Sequence, residues 1–239
     1  MEAIKVTAFL SSPIAVCDDW TPSLDALLEW QILEKLNLLS PNPTTEQVAE
    51  TRPLVFTEMP IEKGDLNGEW YWKVSSPCYA YTVDQQSRFR KRWSPGVDSP
   101  EPNWGKRKPK FTTSQGAEKA YDLPLFLRSA YAVHWYGIGD PSATLSLLES
   151  ITGLGKKRSQ GYGQILKWVV EPFSHDWHLW KVNTLMKAVP IEMLDPSQKV
   201  QCTLMNWGWR PPGWLAANKS FCAMPTQTVV KLDKEFDDG

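Results

Sequence analysis

The chain has 239 residues, 42% of them hydrophobic and 22% charged, with a formal net charge of −1 at pH 7. That composition excludes a disordered chain and a uniformly basic nucleic-acid coat, and the length fits one large domain or two small ones sharing a core. Any basic surface must therefore be local, because fields arise from clusters of charge.

The elements follow in chain order. "AIKVTAF" alternates apolar and polar residues from Ile4 to Phe9 and predicts a half-buried strand. After the loop "CDDWTPS", Leu24, Leu27, Leu28, Ile32 and Leu39 form one broad helical stripe. "SPNPTTE" ends that helix, and only a short element is expected around Val48. "GEWYWKVSSPCYAYTV" reads as one strand, or a hairpin interrupted at Pro77. Residues 85–115 carry eight Lys and Arg against two acids, with several Pro and Gly, and predict an extended surface loop. "LPLFLRSAYAVHWYGIG" is a strongly β segment. "DPSATLSLLESI" is a helix capped by Asp140, with Pro141 in its first turn and Leu147, Leu148, Ile151 and Leu154 on its buried face. A glycine loop follows, then the strand "QILKWVVEPF". Beyond His175 only short strands are legible, near "KVQCTLMNW" and "FCAMPTQTVVKL", before an acidic tail expected to be mobile.

The order is β-α-β-β-α-β, an α+β class of ferredoxin-like (RRM-like) type. It carries a basic insertion at residues 85–115 within a domain of residues 1–170. Residues 171–239 are a β-rich C-terminal extension or subdomain.

The glycine loop, "GLGKKRSQGYGQI" from Gly153 to Ile165, concentrates the chemistry. It is not a phosphate loop, which needs Ser or Thr after the Lys that follows Gly, where Lys157 stands; nor is it a dinucleotide fingerprint, whose third Gly is replaced by Arg158. Those motifs lead into a helix N-terminus; this loop leaves a helix and enters a strand. Anion binding must rest on Lys156, Lys157 and Arg158, on the Ser159 hydroxyl and on exposed main-chain N–H groups. Gly153, Gly155, Gly161 and Gly163 allow positive φ and close approach, and Tyr162 places an aromatic between two of them.

This loop resembles the G-rich loop of the RAMP superfamily of CRISPR proteins, of form G-φ-G-x-x-[KR]-S-x-G-[YFL]-G, with φ apolar. Gly153, Leu154, Gly155, Arg158, Ser159, Gly161, Tyr162 and Gly163 match it, and the element order around it agrees. "SSPIAVCDDWTPSLDALLEW" resembles the first half of backbone subunits of CRISPR effector complexes. Within the superfamily the likeness is to the subunit that binds the 5′ handle of the CRISPR RNA, in its type IV form. The resemblance implies an RNA-binding subunit that caps the backbone filament, in antiviral or anti-plasmid defence. Its implied partners are CRISPR RNA, the backbone and large subunits, and the target DNA duplex near its adjacent motif.

A second RNA surface is expected in the insertion. Arg88, Arg90, Lys91 and Arg92 interleave with Phe89 and Trp93, and Lys106, Arg107, Lys108 and Lys110 flank Trp104 and Phe111. Cations tracking phosphates, with aromatics between them, compose a single-strand surface. The resemblance implies a thumb here.

No catalytic residue is assigned. His134 lies in an apolar strand and reads as a core histidine. His175 and His178, with Asp176, fall one ligand short of a metal site. No cofactor is expected. Two alternatives stay open: a metal-independent endoribonuclease of the same superfamily that processes precursor CRISPR RNA, and a single-stranded RNA-binding protein outside CRISPR. Cys17, Cys78, Cys202 and Cys222 form no C-x-x-C pair and are expected to be reduced. With no signal peptide or membrane-length apolar run, the chain reads as cytoplasmic.

Overall fold

The computed structural model describes residues 1–80, 82–91, 120–194 and 202–226. Among the described residues three α-helices, α1 (Leu24–Lys35), α2 (Thr45–Glu58) and α3 (Pro141–Leu148), accompany several antiparallel sheets, an α+β architecture.

The central sheet holds β1 (Glu2–Leu10), β5 (Cys78–Ala80), β8 (Ala132–Gly139) and β9 (Ile165–Pro172), in the order β5-β8-β1-β9 and antiparallel throughout. A second sheet places β7 (Tyr121–Ser129) between β2 (Ile14–Val16) and β6 (Val83–Lys91). β3 (Lys63–Leu66) and β4 (Glu69–Trp72) form a hairpin. β10 (Trp180–Lys181) pairs with β11 (Thr184–Leu185). The last sheet, β12-β14-β13, joins Val189–Pro190, Lys219–Met224 and Thr203–Gly208 respectively.

Period-2 alternation puts Ile4, Val6, Ala8 and Leu10 of β1 on one face, where they pack with Val133 and Trp135 of β8. Leu24, Leu28 and Ile32 of α1 close this core with Leu148 of α3, while Ile151 and Leu154, expected on that helix, pack there from the segment after it, and Leu39, expected in the α1 stripe, lies past the end of α1. Asp140 accepts from the Ala143 amide and caps α3. Buried tryptophans need partners for their indole N–H groups. Trp135 donates to the Pro22 carbonyl at 3.1 Å, Trp168 to the Ile151 carbonyl at 2.9 Å and Trp72 to Glu29 at 3.0 Å. Glu29 also meets Arg52 at 2.6 Å, and burial pushes its carboxyl pKa up.

Four further expectations need correction. The element around Val48 is a 14-residue helix, α2, with Pro53 inside it. "TTEQ" starts it as a capping box, Thr44 and Gln47 each bonding the other's main-chain N–H. "GEWYWKVSSPCYAYTV" is neither one strand nor one hairpin, because β4 pairs with β3 around the Asn67-Gly68 turn and β5 joins the central sheet. "LPLFLRSAYAVHWYGIG" is two strands, β7 and β8, in different sheets; the chain changes sheet where the Leu10 and Tyr131 amides bond the Tyr131 and Ala80 carbonyls. Residues 85–91 belong to β6, paired with β7 along its whole length from Val83↔Ser129 to Lys91↔Tyr121, so the start of the predicted loop is one arm of a long hairpin. The rest of that basic segment, and the acidic tail, lie outside the described residues.

The glycine loop is fastened to β2 and to itself through the main chain. Lys156 N donates to Ala15 O at 2.9 Å, Gly163 N to Pro13 O at 2.8 Å and Leu154 N to Gly163 O at 2.8 Å. These bonds draw backbones together until two positions have no room for a side chain. A Cβ on Gly163, at φ +64°, would lie 2.0 Å from Leu154 O; one on Gly155, at φ +76°, would lie 2.6 Å from Ala15 O. Gly161 differs: its φ is +87°, but its missing Cβ faces open space.

The C-terminal segment is tied to the core through polar bonds. Tyr71 of β4 bonds His178 Nε2 at 2.9 Å, and His178 Nδ1 bonds Asp176. Burial first, then Asp176, pushes Tyr71 up to about 12, so it stays the donor. Lys187 meets Asp25 of α1 at 3.0 Å, both groups buried. Trp20 donates its indole N–H to Pro225 O at 2.9 Å.

Two outcomes follow for stability. Gly163→Ala should cost about 2–5 kcal/mol, the left-handed backbone and the overpacking together, whereas Gly161→Ala should cost about 1–2 kcal/mol from the backbone alone; urea midpoints of the two variants measure the difference. His178 has its pKa lowered from the ordinary 6.5, chiefly by burial. As pH falls below that value the unfolded chain takes up a proton that the folded chain refuses, so stability falls until the lower folded pKa is passed. His178→Gln should remove that part of the acid slope, read as the difference between the two proteins' melting temperatures across pH 7.5 to 5 (about the span of an ordinary His titration).

Candidate nucleic-acid interface

The main-chain fastening sends three consecutive cations in different directions. Lys156 is anchored through its amide to β2, Lys157 sits at φ +58° in the left-handed region, and Arg158 opens the 3-10 turn Arg158–Gln160. Lys156, Arg158 and Ser159 are exposed. The Cys17 thiol beside Lys156 raises that ammonium's pKa, so it holds its proton. Arg158 reaches back over the loop, its guanidinium 3.5 Å from Gly153 O.

Lys157 turns toward the hairpin and places Nζ 3.9 Å from the Phe89 ring centroid, a cation–π distance. Phe89 stacks on Tyr121 at 5.5 Å. Tyr162 lies half-buried against the patch formed by Ala15, Leu125 and Leu127. The two basic segments singled out in the sequence thus meet, joined by aromatic and apolar contacts.

Strand alternation divides the hairpin's chemistry between two faces. Phe89, paired with Leu123, looks toward the glycine loop; Arg88 and Arg90, paired with Pro124 and Asp122, point the other way. Both arginines share Asp122, at 2.9 and 3.2 Å, and the Arg88 hydrogen bond is the main cause that lowers the Asp122 pKa. Both remain exposed, so about half of their joint charge is left for an anion. Lys91 ends β6 on the Phe89 face. Arg92, Trp93, Trp104, Lys106, Arg107 and Lys108 lie outside the described residues.

One residue that positions this region gave no sequence signal. Arg128 of β7 is almost fully buried. It bonds Asp84 of β6 at 2.8 Å and Asp19 of the loop after β2 at 2.6 Å, and its guanidinium stands 4.7 Å from the Tyr79 ring centroid. These partners raise its pKa, so the charge is permanent and the hairpin is clamped to β2 and the central sheet. An alternating strand pattern places Arg128 only on a face; it cannot reveal partners 44 and 109 residues away.

The histidines take up other duties. His134 is buried, with Nδ1 2.9 Å from Thr7 Oγ1, as a core histidine should be. His175 bonds Ser174, and His178 belongs to the tie with Tyr71 and Asp176. Among the described residues no three His, Cys, Asp or Glu side chains converge as a metal site. Cys78 and Cys222 are buried, and burial pushes the Cys222 thiol up to about 12. Among the described residues no helix is long and apolar enough to cross a membrane.

The arrangement offers exposed cations and a hydroxyl on a rigid main-chain frame, next to a hairpin with further arginines. Its chemistry suits successive phosphates. No curated protein matches the chain. A family model does, that of CRISPR type IV associated protein Csf3, over residues 2–227. The type IV resemblance carried by the glycine loop and the N-terminal helix therefore extends over almost the whole sequence, and the chain belongs to the Csf3 family of CRISPR type IV associated proteins.

Proposed function

We propose that this chain is the RNA-binding subunit of a type IV CRISPR ribonucleoprotein. In this reading it holds the 5′ handle of the CRISPR RNA on the glycine loop and caps the backbone filament beside the large subunit. The observation that carries the reading is the run Lys156–Ser159: two exposed cations and a hydroxyl, fixed by main-chain bonds to β2, in a member of the Csf3 family.

The central sheet supports it. Counted along the chain, its strands β1, β5, β8 and β9 lie in the order 4-1-3-2, with α1 in the first crossover and α3 in the second. We read this as a ferredoxin-like core in which the glycine loop leads from the second crossover helix into the last strand. The β6–β7 hairpin is then the base of the thumb, and Arg88, Arg90 and Lys91 extend the RNA path along it.

We also propose that the subunit carries RNA without cutting it. A metal-independent ribonuclease needs a proton donor and acceptor at the reacting 2′-hydroxyl and leaving oxygen. His134 and His178 are engaged in buried hydrogen bonds away from the glycine loop, and His175 bonds its neighbour Ser174. The purified chain should leave repeat RNA intact while binding it; cleavage in the presence of a chelator would assign it the processing step instead.

Binding is tested at the loop. Replacing Lys156, Lys157 and Arg158 together by Ala should weaken binding of handle-bearing RNA and preserve the fold, because the loop is held through its main chain. Each lost phosphate contact on a single strand should flatten log K against log salt by about 0.7, hence by about 1.4 for the two exposed cations and by at most about 2 for all three. The affinity loss should be larger on handle RNA than on random RNA. Unchanged affinity and slope in the triple variant would make the loop a structural turn.

A further inference from the structure

A wide groove lies on the side of the glycine loop away from the hairpin. It has a volume of about 940 Å³ and runs between the first turns of α1 and the C-terminal β12-β14-β13 sheet, and its edge includes Gly153–Gly155 and Arg158 of the loop. It is rich in two residue types. Trp20, Trp30, Trp207 and Trp209 line it, and so do Arg158, Lys187, Arg210 and Lys219, against only two carboxylates, Asp25 and Glu34. In a chain whose net charge is −1, a groove lined by these cations is a local field of opposite sign, with one net positive charge once Glu69, the partner of Arg210, is counted.

The charges are unequal. At the floor Lys187 is neutralised by Asp25 at 3.0 Å, and Arg210 is engaged by Glu69 at 2.7 Å. The available cations are therefore Arg158 and Lys219, both exposed. The tryptophans are unequal too. Trp209 is buried, and Trp20 and Trp207 lean on each other edge to face at 5.7 Å. Trp30 projects from α1 with 52% of its surface exposed. Trp30 thus presents a broad apolar ring at the groove, on a helix whose other face fills the core. Asn206, exposed on β13, supplies a donor and an acceptor at the opposite wall.

We propose that this groove is a second RNA contact, taking one or two nucleotides of the strand that the glycine loop holds. A base stacks on Trp30, and its flanking phosphates lie near Arg158 and Lys219. The strand passes from the hairpin side of the loop, where Lys157 meets Phe89, to the groove side at the next residue, Arg158. The volume matches one or two nucleotides, being within the usual range of about 300–1,000 Å³ for small-ligand clefts. Stacking tolerates any base, so this contact adds affinity more than sequence choice. The inference rests on the RNA-binding reading and shares Arg158 with it, but Trp30 and Lys219 take no part in that reading.

The test separates the two. Fluorescence anisotropy of a labelled handle-bearing single-stranded RNA is measured across a salt series for the wild type, Trp30→Ala, Trp30→Phe, Lys219→Ala and the glycine-loop triple variant. Trp30→Ala should bind about 5- to 150-fold more weakly with an unchanged salt slope, as loss of a stacked base requires, and Trp30→Phe should recover much of the affinity. Lys219→Ala should instead flatten the slope by about 0.7. RNA carrying 4-thiouridine should crosslink to peptides containing Trp30 or residues 206–214. Circular dichroism confirms that each variant is folded, which the exposure of both side chains favours. Wild-type affinity in Trp30→Ala, with weakened binding in the triple variant, overturns the groove and leaves the loop. Crosslinks confined to the loop, or protection of Trp30 by a protein neighbour in the assembled complex, overturn it likewise. A wild type that binds no RNA overturns both readings.

Discussion

The clasp between the glycine loop and β2 is the constraint on which the site depends. Its bonds run main chain to main chain, from Lys156 to Ala15, from Gly163 to Pro13 and from Leu154 to Gly163. The Lys156 and Arg158 side chains are not needed for these bonds and stay exposed, while Lys157 turns onto Phe89. Backbones that approach this closely exclude a Cβ at Gly155 and Gly163. In the sequence those glycines look like permission for a phosphate to come near; in the fold they let two strands of the protein come near each other. The loop is stiff for the same reason, and a stiff loop offers its charges without the entropic cost of ordering them on binding.

The stiffness passes outward to the hairpin. β2 receives the loop along one edge, where Ala15 bridges Lys156, and pairs with β7 along the other through Ile14↔Arg128 to Val16↔Phe126. Arg128 then locks β7 to Asp84 and Asp19. A short strand of three residues thus sets the position of both basic elements. With Lys157 on one side of the hairpin and Arg88 and Arg90 on the other, a bound strand can follow the charges only by crossing an edge of the hairpin or by choosing a face.

How much was legible depends on the range of the interactions. β1, β9 and the starts of α1 and α3 were read correctly because their signals are local, alternation, a helical stripe and an Asp-Pro cap, while both helices end earlier than their stripes ran. α2 was missed because its apolar pattern is weak, Val55 being its one buried residue, and because Pro53 reads as a breaker. Its capping box was legible and was masked by the prolines just before it. The strand pattern of Val83–Lys91 was hidden by polar residues on both faces, since a hairpin that stands away from the core shows no apolar alternation. The glycine loop was legible because spacing alone defines it. The groove was not: Trp30 and Trp207 lie 177 positions apart, and only the folded chain puts them in one wall-and-floor arrangement. The clue available was the tryptophan count, thirteen in 239 residues, which signals surplus aromatic surface without placing it.

The buried Lys187–Asp25 pair bears on whether the chain is divisible. The end of β9 looks like a natural seam, where a compact sheet-and-helix unit gives way to short strands. A gene cut at that seam would leave Asp25 inside the first turn of α1 with its carboxylate facing no cation, and would strip Tyr71 of its acceptor and Trp20 of the Pro225 carbonyl. Removing one member of a buried ion pair costs about 3–5 kcal/mol, a large share of what holds an ordinary domain together. A chain cut at that seam would therefore be poorer by the contacts of His178, Lys187 and Pro225, which tie the segment after β9 to the sheet-and-helix unit.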